Sequence, residues 1–492
     1  MKRILIILTG IVLPFIFFSC AKEDVSTMTE AETNMYVNNW ISETMQTYYY
    51  WETKIPTATD KTLSPDTYFN SLIYRFNKLT APDGDRFSWI QDNYVELLSS
   101  LDGVNSYEVG FDYVLYLKEA GSNDVVGQIT YVKKGTPAEK IGVKRGMMFE
   151  KINGTTLTLS NYQSLLATTN AQISLGFLEE NYDENNAFLG FISGETLTFN
   201  TVANYSENPV YLDSVYTYQN RKVGYLVYNF FANDGGSGNF EYDLKLNEVF
   251  GKFKTAAITD LVLDLRYNSG GISTSAELLA SLIVPNLNKS NIYTYYEYND
   301  ILNTAYKNKY GPTVFNSYFT ENVMNDTTKL EAVNNVGNGL GSRVIVLTGP
   351  YTASASEQVI NGLKPYMDQV ILIGDTTYGK NVASFSLYEE NDQNNKWGLQ
   401  PIVAKYFNKD GQSDFTAGFV PDYRVDDIGM PGIKPLGDVN ENLLNQAFVT
   451  LGIFNKPSAV PLRSRIIQNN RILSVSTHPI RGLQLKKMSV IP

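Results

Sequence analysis

Hydrophobic and polar positions alternate along the chain in three successive textures. Up to about residue 100, apolar and aromatic residues recur at helical spacing, as in Asn39-Trp40-Ile41, Tyr48-Tyr49-Tyr50-Trp51 and Tyr68-Phe69, ending at Arg86-Phe87-Ser88-Trp89. This spacing predicts a small helical domain packed through its aromatic side chains. From about 104 to 205 the runs become strand-like, Tyr113 to Leu117 and Gly127 to Val132, divided by Gly, Ser, Asn and Asp. Beyond 206, short β-branched runs at 223–228, 261–265, 344–347 and 370–373 alternate with helical patterns at 242–253, 275–283 and 356–363. Continuous apolar strands suit a parallel sheet covered on both faces, so an α/β core is expected. An Asn- and Tyr-rich stretch between about 290 and 340 reads as an irregular cap over that core.

Composition agrees with a well-cored, multidomain chain: 492 residues, 43% hydrophobic and 18% charged. The net charge of −11 argues against a general nucleic-acid binder, because phosphate-binding surfaces need clustered Lys and Arg. Lys2 and Arg3 precede an apolar run, Ile4 to Phe18, too short to span a bilayer and suited to a secretory signal. The run ends at Phe17-Phe18-Ser19-Cys20, which resembles a bacterial lipobox; that likeness implies lipidation of Cys20 and a body anchored in the cell envelope, at the outer membrane, facing the periplasm or the cell surface. The expected division is a signal at 1–20, a helical domain at 21–103, a β domain at 104–205, the α/β core at 206–455 and a tail at 456–492. The tail carries Lys456, Arg463, Arg465, Arg471, Arg481, Lys486 and Lys487 and no carboxylate. It reads as a separate basic object that is solvated, lies on the acidic body or adds strands.

Two scarcities narrow the chemistry. One histidine, His478, and one cysteine, Cys20, leave no material within the body for a Ser-His-Asp or Cys-His site, for a zinc site of His and Cys, or for an internal disulfide. Three segments remain. The run 344–347 leads through Thr348-Gly349-Pro350-Tyr351-Thr352 into Ala353-Ser354-Ala355-Ser356-Glu357, placing Ser354 where a strand meets a helix. The free amides and positive dipole end of that helix suit a developing oxyanion, although a plain N-cap serine would look the same. The next strand ends in Gly374-Asp375-Thr376-Thr377-Tyr378-Gly379-Lys380, and neighbouring parallel strands deliver their carboxyl-terminal loops to one crevice. The third segment, Asp264-Leu265-Arg266-Tyr267-Asn268-Ser269-Gly270-Gly271, is a strand turning sharply through paired glycines, whose amides are the natural oxyanion partners. A lysine serves as base only when neutral, so its ordinary pKa of about 10.4 must fall towards roughly 7–8. Burial of Lys380 is therefore expected.

Together these motifs resemble the carboxy-terminal processing, or tail-specific, serine protease family, peptidase family S41. The resemblance implies an α/β core of the ClpP/crotonase-like type, no cofactor and no metal, Ser354 as nucleophile, Lys380 as base and Glu357 as a supporting polar partner. It further implies an oxyanion hole made by Gly270 or Gly271 with the Ala355 amide. Ser384 stands where many relatives carry glutamine. The segment Gly135-Thr136-Pro137-Ala138 through Asn153-Gly154 is similar to a PDZ domain, in which Gly110-Phe111 would offer backbone amides to the terminal carboxylate of a polypeptide substrate. The expected activity is endopeptidase cleavage of unfolded or C-terminally tagged polypeptides through an acyl-enzyme. The alternative is a binding lipoprotein on the same fold, which would have no reason to keep the serine, the lysine and the Gly-Gly turn together.

Overall fold

The structure, a computed structural model, describes residues 28–455 except 324–330, 429–431 and positions 58, 106, 120, 168, 186 and 187, together with residues 472–475. The signal segment and Cys20 lie outside the described residues. Helix α1 (Glu30–Tyr48) starts at a capping box, Thr29 N–H donating to Glu32 Oε2 at 2.8 Å and Glu32 N–H to Thr29 Oγ1 at 3.3 Å. It packs with α2 (Pro65–Leu72) through Ile41, Met45, Tyr49, Tyr68 and Phe69. That cluster also contains Leu399 from the far end of the chain. Strand Trp89–Gln91 pairs antiparallel with Gly398–Gln400, and Tyr50 N–H donates to Ile402 O at 2.8 Å. The helical layer packs through its aromatic side chains, and its aromatic face is completed by core residues.

Residues 104–206 form an antiparallel sheet from β1 (Phe111–Leu117), β2 (Val125–Val132), β3 (Met148–Ile152), β4 (Gln172–Tyr182) and β5 (Phe188–Asn200), paired in that order. The short helix Pro137–Lys140 is capped by Thr136, whose Oγ1 accepts from Glu139 N–H at 3.3 Å. The Asn153-Gly154 turn has both φ angles positive, 49° and 79°, as a two-residue hairpin requires.

The core sheet runs β6-β7-β8-β10-β11-β14. Here β6 is Val210–Tyr218, β7 Arg221–Tyr228, β8 Asp260–Asp264, β10 Arg343–Thr348, β11 Gln369–Gly374 and β14 Tyr423–Arg424. From β7 to β14 every pairing is parallel. Side-chain alternation divides the core: Leu226, Leu261, Leu263, Val344 and Val346 face α3 (Glu241–Ala256), α4 (Ser273–Ile283) and α5 (Ala355–Leu363). Val227, Val262, Ile345 and Leu347 face α6 (Asn442–Thr450) on the other side. Fully burying each such aliphatic side chain contributes about 1.5–3 kcal/mol, which fixes register, since a one-residue slip exchanges the two faces.

The described part of the stretch read as an irregular cap contains regular elements. β9 (Ile292–Tyr298) and strand Asn316–Tyr318 join β12 (Val382–Ser384) and β13 (Ile402–Phe407) in a second sheet, and helix Asp300–Tyr310 follows β9. Tyrosine-rich strands satisfy their backbone within that sheet, and the sequence pattern masks this because hydroxyls count as polar. In the tail, β15 (Ile472–Val475) pairs antiparallel with the outer edge of β1. Of the three readings of the tail, the added strand is the one this segment takes.

Candidate active site

Strands β8, β10 and β11 point the same way, so the loops after Asp264, Thr348 and Gly374 meet at one edge of the sheet. They are zipped together by backbone and short polar side chains. Thr352 Oγ1 donates to Leu265 O at 2.8 Å, Ala353 N–H to Asn268 O at 3.2 Å, and Ser356 Oγ to the same carbonyl at 3.0 Å. Asn268 in turn donates from Nδ2 to Tyr228 O at 2.9 Å. Beneath the first loop, the buried Arg266 binds Asp264 through Nη2 at 2.8 Å and Glu441 through Nη1 at 2.7 Å. Carboxylates on both sides pin the guanidinium and thereby the start of the glycine turn.

Ser354 has φ 55° and ψ −116°, a backbone conformation that non-glycine residues rarely adopt and that costs about 1–3 kcal/mol. The surroundings enforce it. Ser354 N–H donates to Glu357 Oε2 at 3.0 Å, and Ser354 O accepts from Gln358 N–H at 2.8 Å. Gly270 packs so closely that a Cβ there would lie 2.6 Å from Ser354 Cβ, and at Gly271 it would lie 2.0 Å from Phe231 O, so neither position admits a side chain.

Glu357 is fully buried and collects four donors: Ser354 N–H, Lys380 N–H at 2.7 Å, Gly379 N–H at 2.7 Å and Thr377 Oγ1 at 2.5 Å. Burial pushes its carboxyl up to about 7 despite the opposing pull of those hydrogen bonds. Tyr406 Oη lies 2.6 Å from Lys380 O and 3.1 Å from Ser354 O, so its single proton is shared between the same two residues. Two side chains therefore each bridge positions 354 and 380.

A cavity of about 270 Å³ opens beside them, walled by Ser354, Ala355, Gly271, Lys380, Ser384 and Tyr406 among others. The two glycines of the turn separate here. The Gly270 amide donates to Asn268 Oδ1 at 2.9 Å, whereas Gly271 and Ala355 line the cavity. Lys380 is half-buried, less than expected, because its side chain forms part of the open wall. Its Nζ lies 5.5 Å from the centroid of the Phe87 ring.

Several wall residues escaped the sequence reading. Arg86 and Phe87 come from the amino-terminal layer, and Arg86 Nη2 donates to Gly379 O at 2.6 Å and Thr416 O at 2.7 Å, bracing the lysine loop. The Phe-Ser-Trp cluster read as plain core gave no sign of this. Gln358 donates to Tyr296 Oη at 2.8 Å on the same wall, where Ser384 contributes only a hydroxyl. Gly110 and Phe111 do not line this cavity: they lie in the β domain, where the Gly110 amide donates to Glu108 Oε1 at 2.7 Å and Phe111 is buried. The amide that a peptide carboxylate would use at Gly110 is engaged internally.

The family models for Peptidase family S41 and for the Peptidase S41 N-terminal domain match residues 222–425 and 36–89, together just over half of the chain. The chain belongs to peptidase family S41. Among solved structures, an S41 protease assignment from Bacteroides fragilis NCTC 9343 is 28% identical, covers 84% of this chain and 97% of that one, and superposes with a TM-score of 0.67. The photosystem II D1 C-terminal processing protease is 17% identical over 82% of this chain and 95% of its own, at a TM-score of 0.45. No curated protein matches the chain. As an S41 chain, its N-terminal family module is the layer that supplies Arg86 and Phe87 to the cavity.

Proposed function

We propose that this S41 peptidase is a serine endopeptidase in which Ser354 attacks the scissile carbonyl and Lys380 accepts its proton. The observation that carries the reading is the double bridge, Glu357 and Tyr406 each hydrogen-bonding the backbones of both residues at one cavity wall. The Gly271 and Ala355 amides stabilise the tetrahedral oxyanion, and the positive end of α5 adds to their effect. The lysine then returns the proton to the departing amine, leaving an acyl-Ser354 ester that water hydrolyses by the same base. Ser354 is at once the N-cap of α5, in a capping box with Glu357, and a residue of the cavity wall, where its positive φ is held by the loops around it.

The substrates in this reading are unfolded polypeptides, C-terminally tagged ones among them, and the PDZ-like domain at 104–205 engages them without using the Gly110 amide, which already donates to Glu108. The signal-like amino terminus and Cys20 support export and lipid anchoring in the cell envelope, facing the periplasm or the cell surface. The test compares hydrolysis of unfolded casein by the intact chain, Ser354→Ala and Lys380→Ala. Loss of cleavage in both variants, with unchanged melting, is expected; equal cleavage in all three would favour a binding protein on this fold.

A further inference from the structure

The edge of the β domain carries a second site. β1 pairs with β2 on one side and on the other with β15 of the carboxyl-terminal tail, in the register Ile472 to Tyr116, Ser474 to Leu115 and Val475 to Val114. The pairing is antiparallel, so the tail runs towards the Gly110 end of β1 and continues for seventeen residues beyond Val475. The occupant is thus an internal segment rather than a chain end.

The electrostatics at that end of β1 agree. Lys133 is completely buried and meets Glu108 at 2.5 Å, Glu207 at 3.6 Å and Asp112 at 3.8 Å. Burial works against its charge, and these three carboxylates override it, holding the ammonium well above its ordinary range. A terminal carboxylate arriving here would be a fourth acid around one cation, and it would find the Gly110 amide already donating to Glu108. An extended segment joined through backbone hydrogen bonds needs neither, and the strand Ile472–Val475 carries no charged side chain.

We propose that the outer edge of β1 is a docking site for internal extended segments and that the chain's own tail strand Ile472–Val475 is its resident occupant. An incoming polypeptide must displace this strand before it can pair with β1; the identity of that polypeptide as substrate rests on the peptidase reading. The opposite face of the edge explains its value: Val114 and Tyr116 pack with Tyr267 and Tyr351, which belong to the loops carrying Gly271 and Ser354. A docked strand is one strand away from the catalytic loops.

The test uses the full chain carrying Ser354→Ala, so that binding is measured without cleavage and its failure is distinct from failure of the peptidase reading. A second version adds Ser474→Pro, which removes a backbone donor from β15 and disfavours pairing. The probe is a fluorescent peptide spanning residues 470–478, prepared with a free and with an amidated carboxyl terminus. Displacement of a resident competitor predicts about tenfold or tighter binding to the Ser474→Pro chain. Amidation is expected to leave affinity unchanged. Equal affinity for the two chains, or binding to neither, would overturn the resident-strand proposal, and loss of binding on amidation would show a receptor for chain ends instead. A dimer that forms in the Ser354→Ala chain and is lost with Ser474→Pro would assign the strand to a second copy and overturn it as well.

Discussion

The candidate catalytic edge and the β domain each bury acidic side chains, and they satisfy them in opposite ways. Glu108, Asp112 and Glu207 surround the ammonium of Lys133, an ionic cluster that closes the β domain at the start of β1. Glu357 instead receives three backbone amides and one hydroxyl, and every amide belongs to a loop that carries proposed chemistry. An ionic cluster stabilises a shape and tolerates movement of its long side chains. A carboxylate held by main-chain donors fixes backbone positions, which is what a nucleophile and a base on separate loops require. Arg266 belongs to both kinds: its ion pairs to Asp264 and Glu441 are structural, yet they anchor the turn leading to Gly271.

Breaking the two centres should give different signatures. Ser354→Ala and Lys380→Ala are expected to lower kcat/KM about 10⁴-fold or more, measured on unfolded casein, with melting little changed. Lys133→Ala leaves three buried carboxylates without their cation and should cost about 3–5 kcal/mol in denaturant unfolding, while the surviving folded molecules keep their kcat. Glu357→Gln places an amide NH₂ against converging N–H donors; kcat should fall about 10²-fold with KM nearly constant, since the loops lose their common acceptor.

The same carboxyl links pH to both properties. Its folded value of about 7 lies above the unfolded 4.5, so its stabilising contribution is complete below about pH 4.5 and is lost as pH rises through about 7. The clamp, however, is made by the ionised form. Activity should rise across the window in which stability falls, by at most about 1.4 kcal/mol per pH unit. Thermal melts and kcat/KM between pH 5 and 8 check this; in Glu357→Gln the stability slope should flatten. Tyr406→Phe removes the shared proton of the second bridge and should lower kcat about tenfold. Smallest of all, Ser354→Gly should melt slightly above Ser354→Ala, by about 1 kcal/mol, because glycine relieves the positive φ that both otherwise inherit.

Much of this arrangement was legible in the sequence because it rests on local periodicity. The apolar runs at 223–228, 261–265, 344–347 and 370–373 became β7, β8, β10 and β11, and the order of these strands brought Ser354 and Lys380 to one edge. Glu357 was recognisable from its motif, but its reach to Gly379 and Lys380 was not, because that contact depends on how two loops close in space. Tyr406 and Phe87 gave no local signal at all, since an aromatic residue in a strand or a packed cluster looks alike whether it fills a core or walls a cavity. Expected burial of Lys380 overestimated how closed the cavity is, and the Gly110 amide was read without the acid two residues before it.

In the proposed mechanism Ser354 is a nucleophile activated by Lys380. A fluorophosphonate reagent, which phosphonylates activated serines, combined with peptide mapping by mass spectrometry, tests it directly. The expected result is one modified peptide, containing Ser354, in the intact chain, loss of that label in Ser354→Ala, and labelling at least about 100-fold slower in Lys380→Ala. Labelling of a different residue, or of Ser354 at an unchanged rate without the lysine, would contradict it.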